Sequence, residues 1–172
     1  MSPLAGGPRR MKSPTYRRAI HIAALGVIGL LPLVSCSSQK DSPEAQVRAL
    51  FARAETAAEQ KDLAALRPMI SDEYADGEGQ NKKAIEAVLR FYFLRNQSIH
   101  LFTRIQSIEF PEPARARAVV LVAMAGQPIK TGQELERLHA DLNRFVITLT
   151  REDREWKVIA AEWRRAEPGD FL

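Results

Sequence analysis

The chain has 172 residues, 25 of them basic and 21 acidic, and a single cysteine, which excludes an internal disulfide and leaves stability to packing. The basic excess is local, because Arg9, Arg10, Lys12, Arg17 and Arg18 precede Cys36 with no acid among them. From Cys36 onward 137 residues carry 20 basic and 21 acidic groups, a formal charge of −1, which suits one domain with one core and excludes the basic footprint of a nucleic-acid binder.

Arg17-Arg18 is followed by Ala19 to Val34, sixteen residues in which His21 is the only ionisable group. Basic residues and then an apolar stretch is the layout of a secretory leader, and the stretch is short for a membrane span of roughly 18–20 residues. Met11 offers a second start within it, so residues 1–10 need not belong to the leader. The closing residues Leu33-Val34-Ser35-Cys36 resemble the lipobox of bacterial lipoproteins. The resemblance implies cleavage before Cys36, a diacylglyceryl group on its thiol and an acyl chain such as palmitate on the new amino group. Each buried methylene contributes about 0.8 kcal/mol, so two or three chains anchor where one is marginal. Ser37 is not the aspartate that retains such proteins at the inner membrane in enteric bacteria, so the resemblance favours a periplasm-facing anchor in the outer membrane.

Residues 36–42 read as a small, polar tether. Ser42-Pro43-Glu44 then marks a helix start: a capping serine, proline at the first helical position and an acid in the first turn. Val47, Leu50, Phe51, Ala54, Ala57 and Ala58 follow the three-four spacing of one buried face. Asp62 caps a second, short helix with Leu63, Leu66, Met69 and Ile70 inward, and Pro68 distorts or ends it. Ser71 to Gln80 is a loop carrying Asp72, Glu73, Asp76 and Glu78. Its acids do not make a calcium loop of the EF-hand kind, because Tyr74 stands at the third position and Lys83 at the twelfth, where a bidentate glutamate is needed. Asn81 caps a third helix, with Ile85, Val88, Leu89, Tyr92 and Phe93 inward, and Glu86 and Arg90 spaced to pair on the outside.

From Ser98 the period changes to two. Ile99, Leu101, Thr103 and Ile105 share a face, and Ile108 and Phe110 resume it one residue out of phase, which predicts a bulge near Gln106-Ser107. Pro111-Glu112-Pro113 makes the turn. Ala114 to Ala125 is a second strand, with Ala116, Ala118, Val120, Val122 and Met124 opposite Val119, Leu121 and Ala123. After a loop over residues 126–137, Leu138 to Thr150 is the third strand. Glu155 to Arg165 is the fourth, where Trp156, Val158 and Ala160 alternate with Ile159, Ala161 and Trp163. Residues 167–172 read as a tail. The fold class is therefore α+β, with three N-terminal helices packed on a curved four-stranded antiparallel sheet. Three short helices cover one face of a sheet that is apolar on both, so the other must be closed by the sheet's own curl or by a second copy, and a sheet-to-sheet homodimer is the expectation.

Residues 41–165 resemble the nuclear transport factor 2-like superfamily, with its SnoaL-like and ketosteroid isomerase-like members. The carrying features are the amphipathic first helix, the Asp62 to Ile70 helix, the Tyr74-Ala75-Asp76-Gly77 loop, the bulged first strand and the Phe145 to Trp163 hairpin. The resemblance implies a cone with an internal cavity and frequent dimers, but no activity, because such folds carry enzymes and binding modules alike. Acids, tyrosines and histidines projecting into the cone are then the candidates: Tyr74, Asp76, Tyr92, His100, Asp141, Arg144 and Glu162, with Tyr74, Asp76, Tyr92 and Asp141 as the pocket. His100 alternates with Ile99 and Leu101 and so faces away from the core. No zinc set, phosphate-cradling glycine loop or serine nucleophile turn is present, and no cofactor is expected. The reading is an envelope lipoprotein whose domain binds a small apolar ligand or an envelope protein without catalysis. The alternative is a small isomerase, cyclase or hydrolase acting on an apolar substrate. Substituting Cys36→Ala is expected to abolish metabolic labelling with radioactive palmitate and leave uncleaved precursor; labelling that survives would remove the anchor.

Overall fold

The computed structural model describes residues 42–135 and 137–171; the leader, the lipobox with Cys36 and the tether up to Asp41 lie outside the described residues. Helix α1 is Pro43–Glu59, α2 is Leu63–Leu66 and α3 is Lys82–Arg95. Strands β1 (His100–Glu112), β2 (Arg115–Ala125), β3 (Asp141–Glu152) and β4 (Glu155–Arg165) form one antiparallel sheet in the order β1-β2-β3-β4. Among the described residues no helix is long and apolar enough to cross a membrane.

The three helix starts are capped as their sequences require. The Ser42 hydroxyl accepts the Ala45 N–H at 3.1 Å, Asp62 accepts from Ala65 at 2.9 Å, and Asn81 accepts from Ala84 at 3.1 Å. Helix α1 ends with Lys61 left-handed at φ 54°, where its N–H reaches Ala58 O and that of Asp62 reaches Ala57 O. Pro68 ends α2, and a single 3-10 turn, Arg67–Met69, takes over.

One sheet face carries the main core. Val47, Leu50 and Phe51 of α1 pack on Ala116, Ala118, Val120, Leu149 and Trp156, with Ile105, Ile108, Ile147 and Val158 around them. The bulge in β1 falls at Gln106, between Ile105 and Ser107, where the phase change placed it. The first hairpin turns at Pro113-Ala114 and β1 runs on through Pro111 and Glu112. Proline is tolerated there because β1 is an edge strand with an unpaired side.

Three expectations need correction. A second bulge lies in β4, where Thr148 pairs with Ala160 but Leu149 pairs with Val158, leaving Ile159 as the extra residue. The faces of β4 therefore change parity, and Trp156 and Val158 share the inner face with Ala161 and Trp163. Helix α3 buries no residue, and Val88, expected inward, is 55% exposed. Its Glu86 bonds Arg67 at 3.1 Å across to the 3-10 turn in place of the expected pairing with Arg90. Finally, residues 167–172 are more than a tail. A 3-10 turn at Pro168–Phe171 sets Phe171 (4% exposed) on the outer sheet face with Leu121, Ala123, Leu135 and Ala166. Its ring lies 6.4 Å from that of Phe102. The chain thus covers one end of the face that was assigned to a second copy. Phe171→Ala is expected to destabilise the domain by about 3 kcal/mol, read as a lower urea midpoint; an unchanged midpoint would make the turn an ornament.

Candidate functional site

The inner face of the sheet is graded from closed to open. Register aligns Ile108, Ala118, Ile147 and Ala161 across it, then Ile105, Val120, Phe145 and Trp163, then Thr103, Val122, Asn143 and Arg165. The last row begins Leu101, Met124, Asp141. Ala116, Ala118 and Leu149 at one end are fully buried, whereas Leu101, Met124 and Phe145 are half-buried and Trp163 is 60% exposed. The inner apolar face therefore passes from buried beneath α1 to open at Trp163.

The expected pocket residues separate into two pairs. Tyr74 donates its hydroxyl to Asp76 Oδ2 at 3.1 Å, while Asp76 Oδ1 accepts the N–H groups of Glu78 and Gln80 at 3.0 and 2.9 Å. This pair belongs to a segment clamped on the free edge of β4. Ile70 bridges Val158 in parallel, Ser71 N–H donates to Val158 O, and Ala75 N–H donates to Ile159 O, both at 2.9 Å. The buried Ser71 hydroxyl donates to Glu152 Oε1 at 2.6 Å and accepts the Glu73 N–H, and Lys157 bonds the same carboxylate at 2.9 Å. The Ser71 and Lys157 bonds hold the Glu152 carboxyl below its ordinary range. Asp76 is thus a loop-former, its carboxylate satisfied by the tyrosine and two amides.

Tyr92 is half-buried on α3; burial, and then the charge of Asp141, raise its pKa. Asp141 is exposed at the rim. No described contact links the Tyr92–Asp141 pair to the Tyr74–Asp76 pair. His100 pairs with Ala125 on the outer face, as alternation required, and Arg144 and Glu162 lie on that face too. Two surface grooves of about 420 and 460 Å³ are lined by none of these candidates. Among the described residues no three His, Cys, Asp or Glu side chains group as a metal set.

The residue that sequence reasoning missed is Glu55. It is half-buried on α1 and hydrogen-bonded to Thr103, which faces inward; burial raises its carboxyl pKa, and the charge of Glu59 adds to the rise. Glu59 itself caps the open edge of β1, accepting the Leu101 N–H at 2.9 Å. The signal was present: Glu55 stands four residues after Phe51, on the apolar stripe. Asn143, buried on the inner face, was likewise reachable by parity from Phe145.

The sequence matches no protein-family model and no curated protein. Solved structures do match in fold. An NTF2-like protein of unknown function from Silicibacter pomeroyi aligns at 16% identity with a TM-score of 0.54, covering 72% of this chain and 95% of that one. A proposed scytalone dehydratase from Novosphingobium aromaticivorans aligns at 13% identity with a TM-score of 0.56, covering 72% and 84%. The Bdellovibrio bacteriovorus protein Bd1075 aligns at 12% identity with a TM-score of 0.57; this chain covers 40% of its length and 70% of its own. The domain has the nuclear transport factor 2-like fold. Likeness at these identities concerns the fold alone.

Tyr74 supplies a pH test of the clamp. Burial first, then the hydrogen bond and charge of Asp76, push its pKa up to about 12 from an ordinary 10. The folded state therefore keeps this proton where the unfolded chain loses it, and the contribution is complete below pH 10. Stability should fall as pH rises from about 10 to 12. Urea midpoints across that window should lose this part of the fall in Tyr74→Phe; an identical pH profile in the variant would contradict the buried pairing.

Proposed function

We propose that the chain is a lipoprotein of the bacterial envelope, anchored through acylated Cys36, whose cone binds a small apolar ligand or an envelope protein without catalysis. The observation that carries the binding part is the state of the expected carboxylates. Asp141 and Glu162 are exposed and Asp76 is engaged by Tyr74 and two amides, while the inner apolar face runs out to the exposed Trp163. An open apolar surface whose neighbouring carboxylates are solvated or already engaged suits capture more than proton transfer. Anchoring rests on the lipobox resemblance, and the outer membrane on Ser37. A sheet-to-sheet homodimer would use only the outer face that Phe171 leaves uncovered, where Val146 is half-buried.

A second reading, a small enzyme on an apolar substrate, is favoured by Glu55. A half-buried carboxyl with a raised pKa facing Thr103 is a reasonable general acid or base. Native mass spectrometry of the domain recovered from the envelope separates these readings and reports oligomeric state directly. The expected result is a retained apolar ligand or partner that Glu55→Gln leaves in place and unaltered. Turnover of the retained molecule that Glu55→Gln abolishes would replace the binding reading with the enzymatic one.

A further inference from the structure

Helix α3 presents an outward face that the fold does not use. Phe91 is 61% exposed and Leu94 80% exposed, and with Val88 they form one stripe, three residues apart. Lys83, Arg90 and Arg95 are exposed on the same side of the helix, and Arg95 stacks over the Phe91 ring at 5.4 Å. None of the three cations makes a described ion pair, whereas Lys82, on the inner side, is held by Asp72 at 2.7 Å. The only acid of the helix, Glu86, is turned away to Arg67 and is 15% exposed. In a domain with nearly balanced charge, one helix thus joins apolar side chains to cations with no acid among them.

We propose that this face of α3 lies on an anionic lipid bilayer, with Phe91, Val88 and Leu94 entering the headgroup region and Lys83, Arg90 and Arg95 meeting lipid phosphates. A protein partner would need acids to match the cations and an apolar patch to match the stripe; a bilayer with anionic headgroups offers both over any area. The proposal rests on the lipoprotein reading for its location and not for its chemistry. From Cys36 to Ser42 the chain has six steps, a reach of at most about 20 Å, so an anchored domain cannot leave the surface. Tethering makes the contact intramolecular, and a weak face then suffices to orient the domain.

The test uses Phe91→Trp and the parent protein, recovered from the envelope and reconstituted in vesicles of brominated phosphatidylcholine with or without phosphatidylglycerol. The expected result is bromine quenching of the introduced tryptophan beyond that of the parent, dependent on phosphatidylglycerol. Adding Arg90→Gln should lower the occupancy about fivefold. Quenching no greater than the parent's, or equal in both lipids and insensitive to Arg90→Gln, overturns the proposal. A blue shift that grows with protein concentration in vesicle-free detergent, without lipid quenching, overturns it in favour of a second copy. The mass of the Cys36 peptide is read in the same preparations: an unacylated peptide ends the anchor reading, while quenching on added vesicles still decides the face.

Discussion

A sheet with apolar residues on both faces of its central strands must be covered twice, and this constraint governs the domain. In β2, Ala116, Ala118 and Val120 face α1, while Val119, Leu121 and Ala123 face the opposite way, and nearly all are removed from water. The helical half supplies a cover for one side only. The second comes from the β2–β3 loop through Leu135 and from the C-terminal turn through Phe171. The cover on the α1 side is partial, and where it stops the inner apolar face runs out to the exposed Trp163.

The sheet edges pose a separate problem, because unpaired strand edges recruit other chains. Here the N-terminal half covers stretches of both edges with hydrogen bonds. Glu59 caps the Leu101 N–H on β1, and the segment from Ile70 to Ala75 bonds Val158 and Ile159 on β4. The β4 bond falls at the bulge, so the same contact that protects the edge accompanies the parity change that turns Trp163 inward. Tyr74 and Asp76, which on sequence alone look like chemistry, are parts of that clamp.

Charge is partitioned in the same spirit. Residues 1–35 carry the net basicity, and the chain from Cys36 onward is nearly neutral. Within the body, the clamp uses its acids locally, with Glu152 on Ser71 and Lys157 and Asp72 on Lys82, while α3 leaves three cations outward. A carboxyl such as Glu55, half-buried against Thr103, stands out because most other acids are solvated or paired.

Element order, caps and the first bulge could be read from the chain because each depends on local spacing: Ser42, Asp62 and Asn81 before helical periods, Pro68 ending α2, and the phase slip between Ile105 and Ile108. The lipobox reading is equally local, four residues at the end of an apolar run. What spacing could not decide were matters of which surface meets which. Strand β4 is apolar on both parities, so its bulge left no trace, and the inward place of Trp163 depends on pairing with β3. Val88 lies on the helical stripe, yet packing left it in water because α3 touches the body on a narrower side. Phe171 sits after Pro168-Gly169 and reads as tail until the outer face beside Leu121 is known to need a cover. The sequence alone determined the elements; only the tertiary structure decided which apolar surfaces are buried and which remain open, because burial is a property of two surfaces and the chain order names only one at a time.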